Sequence, residues 1–136
     1  MGNTVTKEIL NPAGWKQPRG YANLIKTSGG TILFAAGQGA SDKEGNLVGA
    51  GDICRQYEQI LMNIQDLMAA GGAAMTDIVR LTVYCTDRDA FLAQGKECSR
   101  IYRKYFGDYY PASTLVEIKR LYVDGMLLEI EATAVI

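Results

Sequence analysis

The sequence contains no histidine. That absence removes the commonest general base, the Ser-His and Cys-His nucleophile pairs, and most zinc and iron sites. Cysteine is scarce: Cys54, Cys85 and Cys98 are odd in number, lie far apart and form no CxxC. This argues against a disulfide framework and against a structural zinc site. It fits thiols used as small core residues in a reducing cytosol, with Cys98 as the candidate reactive one. Neither sign of charge predominates, since 14 lysines and arginines against 15 aspartates and glutamates leave −1. A nucleic-acid partner is therefore not expected, because phosphate neutralisation needs a basic surface. No apolar run approaches the roughly 18 residues of a membrane helix. A basic-then-apolar leader pattern is also missing. No membrane partner is expected, and a cytoplasmic location is. Met1-Gly2-Asn3-Thr4-Val5-Thr6 formally fits an N-myristoylation signal, a short match meaningful only in a eukaryote.

What is present is ordinary globular composition over 136 residues, read as one domain spanning 1–136. The most informative stretch is Pro111 to Val135. It reads as two strands joined by a turn at Asp124-Gly125. In the second strand Leu128, Ile130, Ala132 and Ala134 face one way, and Leu127, Glu129, Glu131, Thr133 and Val135 the other. Two carboxylates thus share one face of an apolar strand, roughly 7 Å apart. Two readings stand side by side: the glutamates line a solvated or subunit-facing side of a sheet, or Glu129 is an acid/base in a cleft. In the first strand Ser113, Leu115 and Glu117 share a face.

Earlier in the chain, residues 4–10 alternate weakly and predict a strand. Asn11 to Gly20, with two prolines and two glycines, predicts a loop, in which Trp15 is expected to pack on the sheet or a partner subunit. Tyr21–Thr27 and Thr31–Ala35 predict a hairpin around Ser28-Gly29-Gly30. Ala36-Gly37-Gln38-Gly39 lets backbone approach another group closely, and is no phosphate loop. Ser41–Gly51 is a polar loop with a turn at residues 43–46. Asp52–Ala70 predicts a helix with the stripe Ile53, Tyr57, Ile60, Leu61, Ile64, Leu67, Met68, ended by Gly71-Gly72. Ile78–Cys85 is a central strand by its β-branched and aromatic content. A helix over about 90–106 follows, with Leu92, Cys98, Ile101, Tyr102, Tyr105 and Phe106 on one stripe and Gly95 weakening it. The order predicts an α+β fold with two helices on one face of a mixed, mostly antiparallel sheet. The other sheet face lacks a covering layer, and self-association is the simplest way to hide it.

Several pieces, in order and spacing, resemble the Rid family (reactive intermediate deaminases, YjgF-type proteins) from about Asn11 to Val135. They are Gly20-Tyr21, Phe34-Ala35-Ala36-Gly37-Gln38, Gln56 and Asn63, Ala70-Gly71, Asp77-Ile78-Val79, Thr82-Val83-Tyr84, Thr86-Asp87, Pro111-Ala112 and Glu129-Ile130-Glu131-Ala132. The resemblance implies a chorismate-mutase-like fold and a homotrimer with clefts between adjacent subunits. It also implies hydrolysis of reactive imines and enamines, such as 2-aminoacrylate, to a keto acid and ammonia, with no metal or organic cofactor. By the same resemblance Glu129 handles the water and proton, Tyr21 lines the cleft, and the backbone near Ala36-Gly37 and Leu115 holds the substrate.

The family's carboxylate-binding arginine, two residues after the proline, is here Ser113. A serine offers one neutral hydrogen bond where arginine offers a bidentate charged one. Three accounts remain open: a hydrolysable substrate whose anionic group is elsewhere or absent, Arg19 supplying the clamp from another wall, or a non-catalytic binding or regulatory trimer using the same clefts. The string Pro18-Arg19-Gly20-Tyr21-Ala22-Asn23 resembles a divergent subgroup of the family. Some such members accompany catabolism of nitrogenous aromatic compounds.

Overall fold

The computed structural model describes residues 4–136, so the Met1–Asn3 part of the myristoylation match lies outside the described residues. Ten elements follow one another. Strands β1 (Thr6–Leu10), β2 (Leu24–Ser28) and β3 (Ile32–Gln38) precede helix α1 (Ile53–Ala70) and a short 3-10 turn at Met75–Asp77. Strand β4 (Ile78–Cys85), helices α2 (Arg88–Ala93) and α3 (Gly95–Phe106), and strands β5 (Ala112–Glu117) and β6 (Leu128–Val135) complete the chain. The main sheet has the order β3-β6-β4-β5, with β4–β5 parallel and the other two pairings antiparallel. The β4-to-β5 link is a helical crossover, as parallel neighbours require.

Two of the three helices start at a capping aspartate. Asp52 caps α1 by accepting from the Arg55 N–H, and Asp87 caps α2 by accepting from the Ala90 N–H. The expected second helix is two helices, because the chain breaks at Gln94 just before Gly95. The α1 stripe is buried except for Leu67, and in α3 Cys98, Ile101 and Phe106 are buried while Leu92 is exposed. These side chains meet Leu81, Val83, Leu128, Ile130, Ala132 and Ala134 of the sheet in one core. The predicted alternation of β6 holds, save that Val135 is buried too.

Three expectations change. The hairpin over residues 21–35 does not form: β2 pairs with β1 from Leu10↔Leu24 to Thr6↔Ser28, and β3 pairs with β6. Gly29 and Gly30 do make the positive-φ turn, at 73° and 83°, but the turn carries the chain from one sheet to the other. A side chain at Gly30 would collide with the Ile136 carbonyl and Val5. Thr31 and Ile136 exchange both backbone hydrogen bonds there, 2.6 and 3.0 Å, continuing the β3–β6 ladder. Second, β5 and β6 are joined through the Asp124-Gly125 turn, but β4 lies between them. Third, of the two places expected for Trp15, the sheet of its own chain does not cover it; it is 63 % exposed in a turn closed by its own N–H to the Pro12 carbonyl, which leaves the partner subunit.

Among the described residues Gln56 is the one polar or charged residue that is buried, 0 % exposed. Its Nε2 donates to the carbonyls of Gly49 (3.1 Å) and Gly125 (2.9 Å), and its Oε1 accepts from the Leu127 N–H (2.8 Å). Helix α1 is thereby fastened to both loops that border the sheet. Replacing it by leucine leaves three buried backbone groups without partners, at a cost of about 2–4 kcal/mol. Gln56→Leu is expected to lower the urea midpoint accordingly. A midpoint equal to wild type would mean that water replaces the amide at those three groups.

Candidate functional site

Two groups of the sequence-predicted residues come together, at opposite edges of the main sheet. The first is built on β3 and β6. Their register runs Ala35↔Ala132 and then Gln38↔Ile130, so Ala36 and Gly37 stand against the single residue Glu131. This is a β-bulge, a device that ends regular pairing and re-aims side chains. The Ala36 carbonyl accepts from the Gln38 side-chain amide at 3.0 Å. Glu129, one position before Ile130, faces away from the helices and lies across Gly37. A Cβ at residue 37 would stand 2.8 Å from both the carboxyl carbon and Oε2 of Glu129. The absence of a side chain at Gly37 is therefore what gives the Glu129 carboxylate its place.

Beside Glu129 on the same open face stand Tyr84, Glu131, Thr82 and Arg80, placed by the β4–β6 register Tyr84↔Glu129 and Thr82↔Glu131. The Tyr84 hydroxyl donates to Glu131 Oε1 at 3.2 Å, and this bond to a carboxylate raises the tyrosine above its usual value. Arg80 Nη2 donates to the Thr114 hydroxyl at 3.2 Å. Glu131 is thus engaged by a neighbour, whereas the Glu129 carboxylate makes no hydrogen bond or ion pair to a described side chain. Tyr84 and Arg80 were not foreseen as neighbours of the acids; the sequence holds them only as outward positions of a central strand.

The second group is built on β5 and the loop before β2. The Ala22 N–H donates to the Pro111 carbonyl at 3.0 Å, and Ala22 forms a parallel bridge with Ala112. The parallel register sets Tyr21 beside Pro111 and Asn23 beside Ser113. Tyr21 is 42 % exposed and lines a cavity of about 420 Å³ with Asn11, Pro18, Asn23 and Tyr109. Arg19 is exposed next to it and pairs with no described carboxylate. Ser113 and Leu115 register with Leu81 and Val83, so they sit on the helix side of β5.

Within one chain the two groups do not meet. Glu129 is opposite Tyr84 and Ser113 opposite Leu81, an odd separation along β4, which puts them on opposite faces. The two strands are also separated by β4, roughly 10 Å in all. Cys98, the candidate reactive thiol, is buried, and burial pushes it up to about 12. Its sulfur lies 3.7 Å from that of Cys54, and all three cysteines are free. It is a core residue, remote from Glu129, and no nucleophile at neutral pH. Among the described residues no cluster of three or more metal-ligating side chains occurs and no helix is long and apolar enough to cross a membrane.

Comparison with known proteins points in one direction. The family model described as Endoribonuclease L-PSP matches residues 16–136. A RutC family protein of Pyrococcus horikoshii is 36 % identical over 129 residues, which cover 94 % of this chain and 97 % of that protein. A Rid family protein of Yersinia pestis has a similar structure, with a TM-score of 0.85 and 31 % identity over 96 % of this chain and 98 % of the other. Escherichia coli TdcF, solved with bound serine, aligns with a TM-score of 0.66 and 29 % identity, covering 79 % of this chain and 82 % of that one.

Gly37→Ala is expected to leave the fold intact, at a cost on the order of 1 kcal/mol, while forcing the flexible Glu129 side chain out of its position. A crystal structure of the variant would read this directly. A carboxylate left in place would show that the bulge, not residue 37, gives way.

Proposed function

The chain belongs to the Rid (YjgF/RutC) family, and from that premise we propose that it is a cofactor-free hydrolytic deaminase of a reactive imine or enamine. The observation that carries this reading is the Glu129 carboxylate, laid across a glycine bulge and left without a side-chain partner among its neighbours. Such a group is free to take and return a proton. In the proposed reaction water adds to the imine carbon while Glu129 accepts its proton. The carboxyl passes that proton to the imine nitrogen to give the carbinolamine, then takes the carbinolamine's hydroxyl proton and returns it to the departing nitrogen, so that a carbonyl compound and ammonia leave. An enamine first tautomerises to the imine by protonation at carbon and loss of its N–H proton. An imine plus water equals a carbonyl plus ammonia, so the balance calls for no redox partner.

The two half-sites at opposite sheet edges support placing the reaction between subunits. Joining the β5 edge of one copy to the β3 edge of the next is a head-to-tail contact that closes into a ring. We take the ring to be the family's homotrimer. It would cover the open sheet face, where Phe34 is 80 % exposed and Ile32 57 %. In that assembly Tyr21, Ser113 and Leu115 of one subunit would face Ala36, Gly37 and Glu129 of another.

Ser113 supports an altered specificity. It provides no positive charge, so a substrate carboxylate at that wall would be held several kcal/mol less tightly, about 2–5. An enamine without an adjacent carboxylate fits better, and the exposed Arg19, two residues before Tyr21, is the candidate to receive a more distant anion. Such a substrate could arise in the breakdown of a nitrogenous aromatic compound. The same feature favours a second reading, a trimer that binds a small molecule in these clefts without turning it over. The endoribonuclease description attached to the family model is the weakest fit, given no histidine and a net charge of −1.

Ammonia release distinguishes these readings. Imines of the 2-aminoacrylate type, generated in situ, would be compared with enamines lacking an adjacent carboxylate. Turnover of the second class is expected, and Glu129→Gln should reduce it roughly 10²- to 10⁴-fold with the trimer intact in sedimentation velocity. Arg19→Ala should raise KM only if Arg19 has taken over the clamp. Silence towards both classes from an intact trimer would favour the binding reading.

A further inference from the structure

Away from the acid-bearing sheet face, the crevice between α1, α2 and α3 forms an open-mouthed cavity of about 260 Å³. Tyr57, Phe91, Tyr102 and Tyr110 supply aromatic walls, and Cys98 and Ser99 stand among them. The rings are set in fixed relation: Tyr57 meets Phe91 edge-on at 5.6 Å, and Tyr102 stacks on Tyr110 at 5.0 Å with planes 3° apart. Such a volume exceeds the roughly 150 Å³ that holds a benzene molecule in an engineered apolar cavity.

Every group lining this space is neutral. No lysine, arginine, aspartate or glutamate is among them. Burial raises Tyr57 and Tyr102 well above the usual tyrosine range, so both keep their protons. Tyr102 spends its hydroxyl on the Tyr109 carbonyl at 2.7 Å. Tyr57 does not. It is only 8 % exposed, yet its hydroxyl bonds to no described residue. Among the described residues no fully buried side-chain nitrogen or oxygen is left unsatisfied. The unpaired Tyr57 hydroxyl therefore keeps some access, and Tyr57 is one of the residues that line this cavity.

We propose that the cavity is a binding site for a small, uncharged aromatic molecule carrying one hydrogen-bonding substituent, with its ring among Phe91, Tyr102 and Tyr110 and its substituent on the Tyr57 hydroxyl. Phenol is the simplest member of the class. Tyr102 is stacked on Phe106 at 4.4 Å as well as on Tyr110, so a bound ring meets it at its edge, and gains its other aromatic contacts from Phe91 and Tyr110. The substituent completes a hydroxyl that otherwise stays single-handed in an apolar place. A carboxylate of the same size finds no counter-charge and must be desolvated without compensation. The site stands apart from Glu129 and does not depend on the deaminase reading. It does share Tyr110 with the cavity that Tyr21 lines, and Gly20, the residue before Tyr21, is among its own walls.

The test is ligand binding to the intact protein by titration calorimetry and chemical-shift perturbation, with phenol, toluene and benzoate as probes. Saturable phenol binding that perturbs Phe91 and Tyr110 is expected, with benzoate weaker by tenfold or more. Tyr57→Phe keeps every ring and removes one hydroxyl. It should weaken phenol about 2- to 10-fold, the worth of a neutral hydrogen bond, and leave toluene unchanged. Gly95→Leu should abolish binding of both, since a Cβ at Gly95 meets nothing within 4 Å and the longer side chain grows into the cavity it lines. Phenol that fails to saturate a folded protein overturns the proposal. So does phenol binding that survives Gly95→Leu, or benzoate binding as well as phenol.

Discussion

Strand β6 is hydrogen-bonded along both edges, to β3 on one side and β4 on the other, and the rest of the structure depends on that double pairing. Two ladders fix one register twice. A slip of one residue would turn Ile130 and Ala132 to the open face and drive Glu129 and Glu131 into the helix-packed core. The cost of burying two unpaired carboxylates excludes that alternative. The same register that packs the core therefore holds Glu129 outward, and the bulge at Ala36-Gly37 gives its side chain somewhere to lie.

The start of β6 is set from a distance. Gln56, on the core side of α1, takes the Leu127 N–H and two loop carbonyls. Its amide replaces the water that those groups would lose on burial, so the helix and the strand entry cannot separate without exposing three polar groups to an apolar interior. Packing of α1 on the sheet and placement of the acid strand are in this way one event.

The chemistry-bearing residues are divided between the two edges and two faces of one sheet. Glu129 with its glycine bulge occupies the β3–β6 side, and Tyr21, Ser113 and Leu115 the β5 side. The same geometry explains the surface composition: Phe34 and Ile32 remain open to solvent on the face that carries the glutamates. The aromatic cavity between the helices belongs to neither group. Its neutral walls follow from the amphipathic faces of α1 and α3, whose tyrosines add hydroxyls to an otherwise apolar layer.

Much of the architecture was legible in the linear pattern. The helix over Asp52–Ala70, the central strand Ile78–Cys85 and the two faces of β6 all rest on periodicity, and periodicity is a local property that packing rewards. The motif string also placed Glu129, Gly37 and Tyr21 in one family before any contact was known. The turn at Gly29-Gly30 was legible as a turn but not as a hairpin, because local φ says nothing about which strand waits on the far side. The same limit hid β4 between β5 and β6. It hid the reach of Gln56, whose three partners are 7, 69 and 71 residues away. By itself the sequence determined which elements form and which side of each is apolar. Only the tertiary structure decided that Glu129 lies over Gly37 while Ser113 faces the other way, since pairing partners are chosen by long-range burial and hydrogen bonding, which no short window of residues contains.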